Sequence, residues 1–400
     1  MNAVVTFSRH RYGWLVYLLC LHPLAVQAAP SFSQAFEQAW QRLPTQQYQQ
    51  PQQQLLRQAG PDWLAEAPSL ALDYQQGDRR VAAAEEWLVS VELPLARPGL
   101  AAARQQQRQL NQQLWHLRQQ HQRWQLAGQL QQWWWDWYAA GRAQQRQQQQ
   151  REALQQQRQW LALLIRQGER PAADQLVLDQ REQQLLSQQQ SNQQRQQELQ
   201  QQWRQWTGLS QVPDDWRFLP VAAQPLAQHP LLQRLAAEKQ LAASEVQQQR
   251  YQGFNPILTL GLKHQQALDT LPASDQILAG IRLEFGQSSS YQPRLAAISQ
   301  LASQHQQWLD TRQQLERQRA SLALALPALQ QQQQQSEQLA SRAAEQYQSQ
   351  YQAYQRGNLS GFQWLQIQHS IWQLQQQADE AEVRYQRSIS LWNQLQGELK

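Results

Sequence analysis

Two long stretches of this chain carry few helix breakers: Gly99 to Thr207, interrupted only around Gly168 to Pro171, and Arg294 to Leu395, interrupted around Gly357 to Gly361. In the first, Leu110, Leu114, Leu117, His121, Trp124 and Gly128 recur at spacings of three and four, which lays an amphipathic stripe along a helix. At 1.5 Å per residue, the segment from Gly99 to Gln167 predicts a rod of roughly 100 Å. No compact globular domain accommodates a helix of that length, so coiled-coil hairpins are expected. Pro327 interrupts the second stretch and predicts a kink or local break there.

Composition fits such helices without proving them. Glutamine fills roughly a quarter of the chain. It is a good helix former, although Gln-rich tracts also occur in aggregation-prone sequences, and composition alone leaves both open. With 15 Gly and 17 Pro the chain is no collagen or flexible linker, and 18 Trp, 11 Tyr and 7 Phe are more apolar anchors than a disordered chain carries.

Between the helical stretches lie four segments with a period of two, expected near 69–76, 86–95, 256–264 and 277–286. Leu70, Leu72 and Tyr74 alternate with Ala71, Asp73 and Gln75. Trp87, Val89, Val91 and Leu93 alternate with Leu88, Ser90 and Glu92. Leu258, Leu260 and Leu262 alternate with Thr259, Gly261 and Lys263, and Ile277, Ala279, Ile281, Leu283 and Phe285 with Gly280, Arg282 and Glu284. Each has one apolar face and one that carries charge.

The pieces repeat. Pro44 to Pro230 is an offset of 186, Leu70 to Leu258 one of 188, Gly168 to Gly357 one of 189, Gly208 to Gly397 one of 189, and Pro98 to Pro293 one of 195. Arg166-Gln167-Gly168, followed by Leu176, Leu178 and Leu185, parallels Gln355-Arg356-Gly357, followed by Leu365, Ile367 and Leu374. A tandem duplication of strand, strand, long helix, turn and return helix is expected, with a first repeat over 29–220 (hairpin 98–207) and a second over 221–400 (hairpin 294–397).

Arg9 and Arg11 precede the apolar run Trp14 to Leu21, and Val26-Gln27-Ala28 places small residues where a signal peptidase cuts, so residues 1–28 read as a secretory signal. Its removal takes away Cys20, the single cysteine, and with it disulfides, thiolate metal sites and a cysteine nucleophile. A lipoprotein anchored at Cys20 is the rival, weakened by the bulky Leu19 before it. No later stretch approaches the ~18 apolar residues of a membrane-spanning helix, so any passage through a bilayer must be made by strands.

Four strands cannot close a barrel, and open edges are not tolerated in lipid. Three copies would supply twelve strands, an even number in the usual range, while their helices wall a tunnel below. The alternative is a small soluble sheet capping a coiled coil.

The duplicated strand pair and hairpin, the turns at Gly168 and Gly357, the Thr207-Gly208 pair, and Ser33-Gln34-Ala35-Phe36 to Pro44 together resemble the TolC-type outer-membrane efflux proteins. The resemblance spans essentially the whole mature chain. It implies a homotrimer with a twelve-stranded barrel in outer-membrane lipid and a periplasmic α-barrel. Such a duct passively conducts solutes delivered by an inner-membrane transporter through a periplasmic adaptor. It implies that Gly168, Glu169, Arg170 and Pro171, with Gly357, Asn358, Leu359 and Ser360, form the periplasmic tip where the adaptor docks. It also implies a latch between Asp174 and Tyr354 that holds the tip closed. Two positions depart from that pattern: the latch arginine becomes Leu359, and the aspartates ringing the aperture become Gln363 and Gln366, which puts a cation-binding ring in doubt. For Asp174 a plain helix-capping role competes with the latch. Asp73, Ser90, Glu92, Thr259, Lys263, Arg282 and Glu284 are the residues expected to face the barrel lumen.

Other chemistries find little support. The net charge of +5 is spread thinly and no basic run marks a nucleic-acid partner, so Trp133, Trp134, Trp135, Trp137 and Tyr138 are expected to pack between helices rather than stack on bases. His116 and His121 are five apart and do not share a helix face as a metal pair would. No nucleophile elbow, phosphate loop or dinucleotide fingerprint is present, so neither catalysis nor a cofactor is expected. The class-different reading is a soluble periplasmic adaptor or scaffold; a cytosolic Gln-rich scaffold conflicts with the signal segment.

Overall fold

The structure, a computed structural model, describes residues 31–44, 63–75, 85–96, 98–213, 218–251, 256–266, 272–283 and 291–398. The leader with Cys20, and Glu284 and Phe285 of the fourth expected strand, lie outside the described residues.

Six α-helices and four strands build the described chain. In order they are α1 (Phe32–Arg42), β1 (Ser69–Gln75), β2 (Glu86–Pro94), α2 (Pro98–Arg166), α3 (Ala173–Thr207), α4 (Pro230–Tyr251), β3 (Ile257–Gln265), β4 (Ser274–Arg282), α5 (Tyr291–Gln355) and α6 (Gly361–Leu395), with a 3₁₀ turn at Leu226–Gln228. Helices α2 and α5 run for 69 and 65 residues, and α3 and α6 for 35 each. They form two antiparallel hairpins: α2 turns into α3, and α5 into α6.

Several expectations change in detail. The fourth strand begins at Ser274 rather than 277, because Ser274 Oγ donates to Gln265 Oε1 (3.3 Å) and His264 pairs with Asp275 (2.7 Å), extending the β3–β4 ladder toward its hairpin. Helix α5 starts at Tyr291 rather than 294 and continues through Pro327 without a break. Proline removes one N–H, and the Leu and Ala of Ser321-Leu322-Ala323-Leu324-Ala325-Leu326 are strong enough helix formers to carry the ladder on. Helices α1 and α4 were not anticipated. Their start signals are readable: a capping box of Ser31 with Gln34 opens α1, and Pro230 occupies the first position of α4.

The main core lies where α1 crosses the first hairpin. Phe36 and Trp40 pack with Leu126, Leu130, Trp133, Trp134, Trp135 and Trp203. The Trp133 and Trp203 rings stack 4.6 Å apart, and the indole N–H groups of Trp134 and Trp203 donate to the carbonyls of Pro213 and Gln211, at 2.9 Å each. Trp133, Trp134 and Trp135 are buried between α1 and the first hairpin, so the tryptophan cluster packs between helices as expected. Arg123 lies over Phe36 and Trp40, 5.3 and 5.4 Å from their centroids, and pairs with Glu37, so α1 is tied to the rod by charge as well. Further along, residues 219–224 zip onto the end of α6. The Asn393 amide accepts from Val221 N (3.0 Å) and donates to Leu219 O (2.8 Å), and Trp392 Nε1 donates to Val221 O (2.9 Å).

Candidate functional site

The first feature is the sheet. It is antiparallel throughout, ordered β1-β2-β3-β4, which leaves β1 and β4 as its edges. Register decides what each face carries, because side chains alternate. Leu70 sits opposite Val91, Val91 opposite Leu260, and Leu260 opposite Ala279; Leu72, Val89, Leu262 and Ile277 form the next row. The four apolar faces therefore join into one apolar surface, and it is open: Leu70 is 73% exposed, Leu262 62%, Ile277 83% and Ile281 69%. A contiguous apolar patch of this kind marks contact with lipid or another protein. Tyr74 and Trp87 meet with tilted rings, 4.5 Å between centroids, at its hairpin end, an aromatic pair at the rim of the apolar band.

The opposite face gathers Asp73, Ser90, Glu92, Thr259, Lys263 and Arg282, all on the side the alternation predicts. Its charges pair across strands: Lys263 Nζ lies 2.6 Å from Glu86 Oε2, and Arg282 Nη2 lies 3.2 Å from Glu92 Oε1. Arg282 reaches Glu92 diagonally over β3, past Thr259 and Gly280. Glu86 escaped the sequence reading, although it belongs to the same period-two set as Leu88, Ser90 and Glu92; its place at the strand's first residue hid it. One face suits hydrocarbon and the other water.

The second feature is the hairpin tip. Gly168 (φ +74°) and Gly357 (φ +80°) both adopt the left-handed conformation that ends α2 and α5. Each closes the same pair of hydrogen bonds. Gly168 N donates to Ile165 O and Glu169 N to Leu164 O; Gly357 N donates to Tyr354 O and Asn358 N to Ala353 O, all between 2.9 and 3.1 Å. Ser360 then caps α6 in a capping box with Gln363, whose Oε1 accepts from Ser360 N at 2.9 Å. Gln363 is therefore turned back onto its own helix end, while Gln366 is exposed.

The two turns meet. Arg170 lies over the Tyr354 ring, 5.3 Å from its centroid, and donates to Leu359 O at 3.0 Å. Arg170 and Leu359 hold equivalent positions in the two turns, so a cation absent from the second turn is supplied by the first. Tyr354 is buried against Trp160 (4.7 Å) and Trp364 (5.8 Å). Burial pushes its phenol up to about 12; Arg170 opposes that rise and Asp174 adds to it. The Asp174 carboxylate lies against Gly361, the first residue of α6, where a Cβ would approach Oδ2 to 2.8 Å. A carboxylate at the start of a helix is favoured by the backbone dipole, so Asp174 joins the second hairpin through α6 as well as through the field at Tyr354. Pro171, Glu169 and Asn358 complete the turns, and Pro171 O accepts from Asp174 N at 3.1 Å.

A sheet with one oily and one charged face, mounted on long paired helices that end in interlocked turns, matches known architectures. Solved structures similar to this chain include the outer membrane protein VceC of Vibrio cholerae, with 13% identity and a TM-score of 0.74 over 92% of this chain and 96% of that one. The open-state MtrE outer membrane channel of Neisseria gonorrhoeae has 13% identity and a TM-score of 0.67 over 92% and 89%. The CmeC outer membrane channel of Campylobacter jejuni has 12% and 0.65 over 91% and 82%. The chain has the TolC-type fold. No family model matches the sequence, and no curated protein does either. The likeness thus resides in the fold, long helical hairpins carrying a four-stranded sheet, which sequences this divergent still share.

Proposed function

We propose that this chain is the outer-membrane exit duct of a tripartite efflux or type I export system, a homotrimer that passively conducts solutes delivered by a periplasmic adaptor and an inner-membrane transporter. The observation that carries this reading is the register-aligned, exposed apolar face of the sheet, backed by a face of paired charges. In lipid the unpaired edges of β1 and β4 need partners, and three copies joined edge to edge give a closed twelve-stranded barrel. Its outside is the Leu70–Val91–Leu260–Ala279 surface. Its lumen is lined by Asp73, Ser90, Glu92, Thr259, Lys263 and Arg282, with Glu86 added. No described helix is long and apolar enough to cross a membrane.

Conduction needs no chemistry from the chain. A wet, polar interior lowers the cost of moving a solute past hydrocarbon, and energy comes from the transporter. The tip is the adaptor-facing end: Gly168, Glu169, Arg170 and Pro171 beside Gly357, Asn358, Leu359 and Ser360. Asp174, Tyr354 and Arg170 hold the two turns together there. Gln366 borders the mouth without charge, and Gln363 shapes it by capping α6.

Membrane fractionation with detergent extraction tests the reading. The expected result is an outer-membrane species that runs as a heat-sensitive trimer and conducts in planar bilayers. A soluble monomer in the periplasmic fraction would instead indicate an adaptor or scaffold.

A further inference from the structure

Between α2 and α6 of one chain lies an open cavity of about 350 Å³. Arg146, on its wall, precedes the last residue of α2, Arg166, by 20 positions, so the cavity stands roughly 30 Å from the tip turns. Its charged lining is Arg142 and Arg146 from α2 with Asp379, Glu380, Arg384 and Arg387 from α6, while Ala139 and Val383 supply an apolar wall. Only 16% of the chain is charged, so six charged side chains around one cavity are a concentration that composition does not produce.

The charges of the lining do not cancel. Both oxygens of Asp379 are taken, one by Arg142 (2.7 Å) and one by Arg146 (2.6 Å), so a single carboxylate faces two guanidinium groups. Arg387 is balanced from outside the lining by Asp136 at 3.0 Å. Glu380 accepts from Gln376 Nε2 at 2.8 Å, and Glu382, also outside the lining, stands 3.9 Å from Arg142. Arg384 has no ion-pair partner among the described residues, although Glu380 precedes it by one turn of α6. Its planar fork of N–H donors is therefore free.

Helix formation alone does not account for these residues. At the repeat offset of 189, Arg142 and Arg146 correspond to Gln331 and Gln335 of α5, and Asp379, Glu380 and Arg387 to Gln190, Ser191 and Glu198 of α3; Arg384 alone keeps an arginine counterpart, Arg195. The same helices form in the other repeat without the cluster.

We propose that this cavity binds an organic carboxylate, its anionic group held by the Arg384 fork in the field of Arg142 and Arg387, and its hydrocarbon body against Ala139 and Val383. A guanidinium matches the two oxygens of a carboxylate with two parallel hydrogen bonds. The cavity volume is at the small end of ligand pockets, which suits a ligand of one ring or a short chain. An inorganic anion would leave the apolar wall uncovered. Because α2 and α6 both line the cavity, an occupant bridges the two hairpins of the chain and stabilises the fold by mass action. The site is complete within one chain and does not depend on the function proposed above.

Titration calorimetry on the full chain in neutral detergent and low salt tests the site, with cinnamate as probe and cinnamamide as its uncharged counterpart. Saturable binding of one cinnamate per chain is expected, weakening with added salt, with no measurable binding of cinnamamide. Arg384→Gln is expected to weaken cinnamate binding about tenfold or more, and Glu380→Gln, which removes an opposing carboxylate, to strengthen it. Arg384 has no ion pair to lose, so both variants are expected to keep the unfolding midpoint of the unliganded protein, which separates lost binding from lost folding. Cinnamate is expected to raise that midpoint in the unaltered protein and not in Arg384→Gln. Equal binding of cinnamamide overturns the anion site, as does cinnamate binding that is unchanged in Arg384→Gln or absent from the unaltered protein at millimolar concentration.

Discussion

At the residue scale, burial decides which polar groups matter. His121 and His229 are almost fully buried on either side of Trp124: His121 stacks on it (5.6 Å) and His229 meets it edge-on (4.9 Å). Burial lowers both to about 4, with Arg234 and His229 opposing charge on His121 and Arg319 opposing it on His229. Their folded values lie below the ordinary 6.5, so the folded state prefers the neutral rings. Stability is then complete above pH 6.5 and is lost as pH falls toward 4, by about 3 kcal/mol per histidine at most. Thermal unfolding followed between those pH values is expected to show this loss, and a His121→Gln, His229→Asn variant to flatten it. Backbone conformation matters as sharply at Gly357. Its φ of +80° has open space around it, so Gly357→Ala meets no clash yet is expected to cost about 1 kcal/mol through left-handed strain, measurable as a drop in unfolding midpoint.

At the element scale, alternation in the strands was legible in the sequence, and each described residue expected on the charged face lies there. What the sequence left hidden was the cross-strand pairing that makes Glu86 a partner of Lys263, since register is set between strands rather than within one. The two faces separate experimentally. Leu262→Arg on the apolar face is expected to cost about 2–4 kcal/mol in lipid and to abolish recovery of the outer-membrane trimer. Thr259→Arg on the opposite face is expected to assemble normally and shift the reversal potential toward anions. In the helices, periodicity announced the rods, and at Pro327 the helix runs on without a break, because one missing N–H is a small fraction of a ladder this long. Helix α1 was missed although its Ser31-x-x-Gln34 box is visible, since eleven residues are too few for periodicity to stand out.

At the scale of the whole molecule, α2 and α6 tie the two hairpins together through charge. Asp379 serves two arginines of α2 at once, with only 20% of its side chain exposed. Asp379→Asn removes both charge-assisted bonds and is expected to lower stability by about 2 kcal/mol, read by chemical unfolding, with the difference narrowing at high salt. The tip joins by a different route. The sequence showed Leu359 where the resemblance led one to expect arginine, and folding brought Arg170 from the other turn to the same place beside Tyr354.

The sequence by itself determined the rods, the turns, the two-faced strands and the repeat, because helix propensity, glycine at left-handed positions and side-chain alternation are local properties of the chain. Only the tertiary structure decided which strands lie side by side, which carboxylate meets which guanidinium, and that the two turns interlock through Arg170. Those are relations between residues as far as 251 positions apart, such as Asp136 and Arg387. Pairing at such distances is fixed by how the rods pack, which no local pattern specifies.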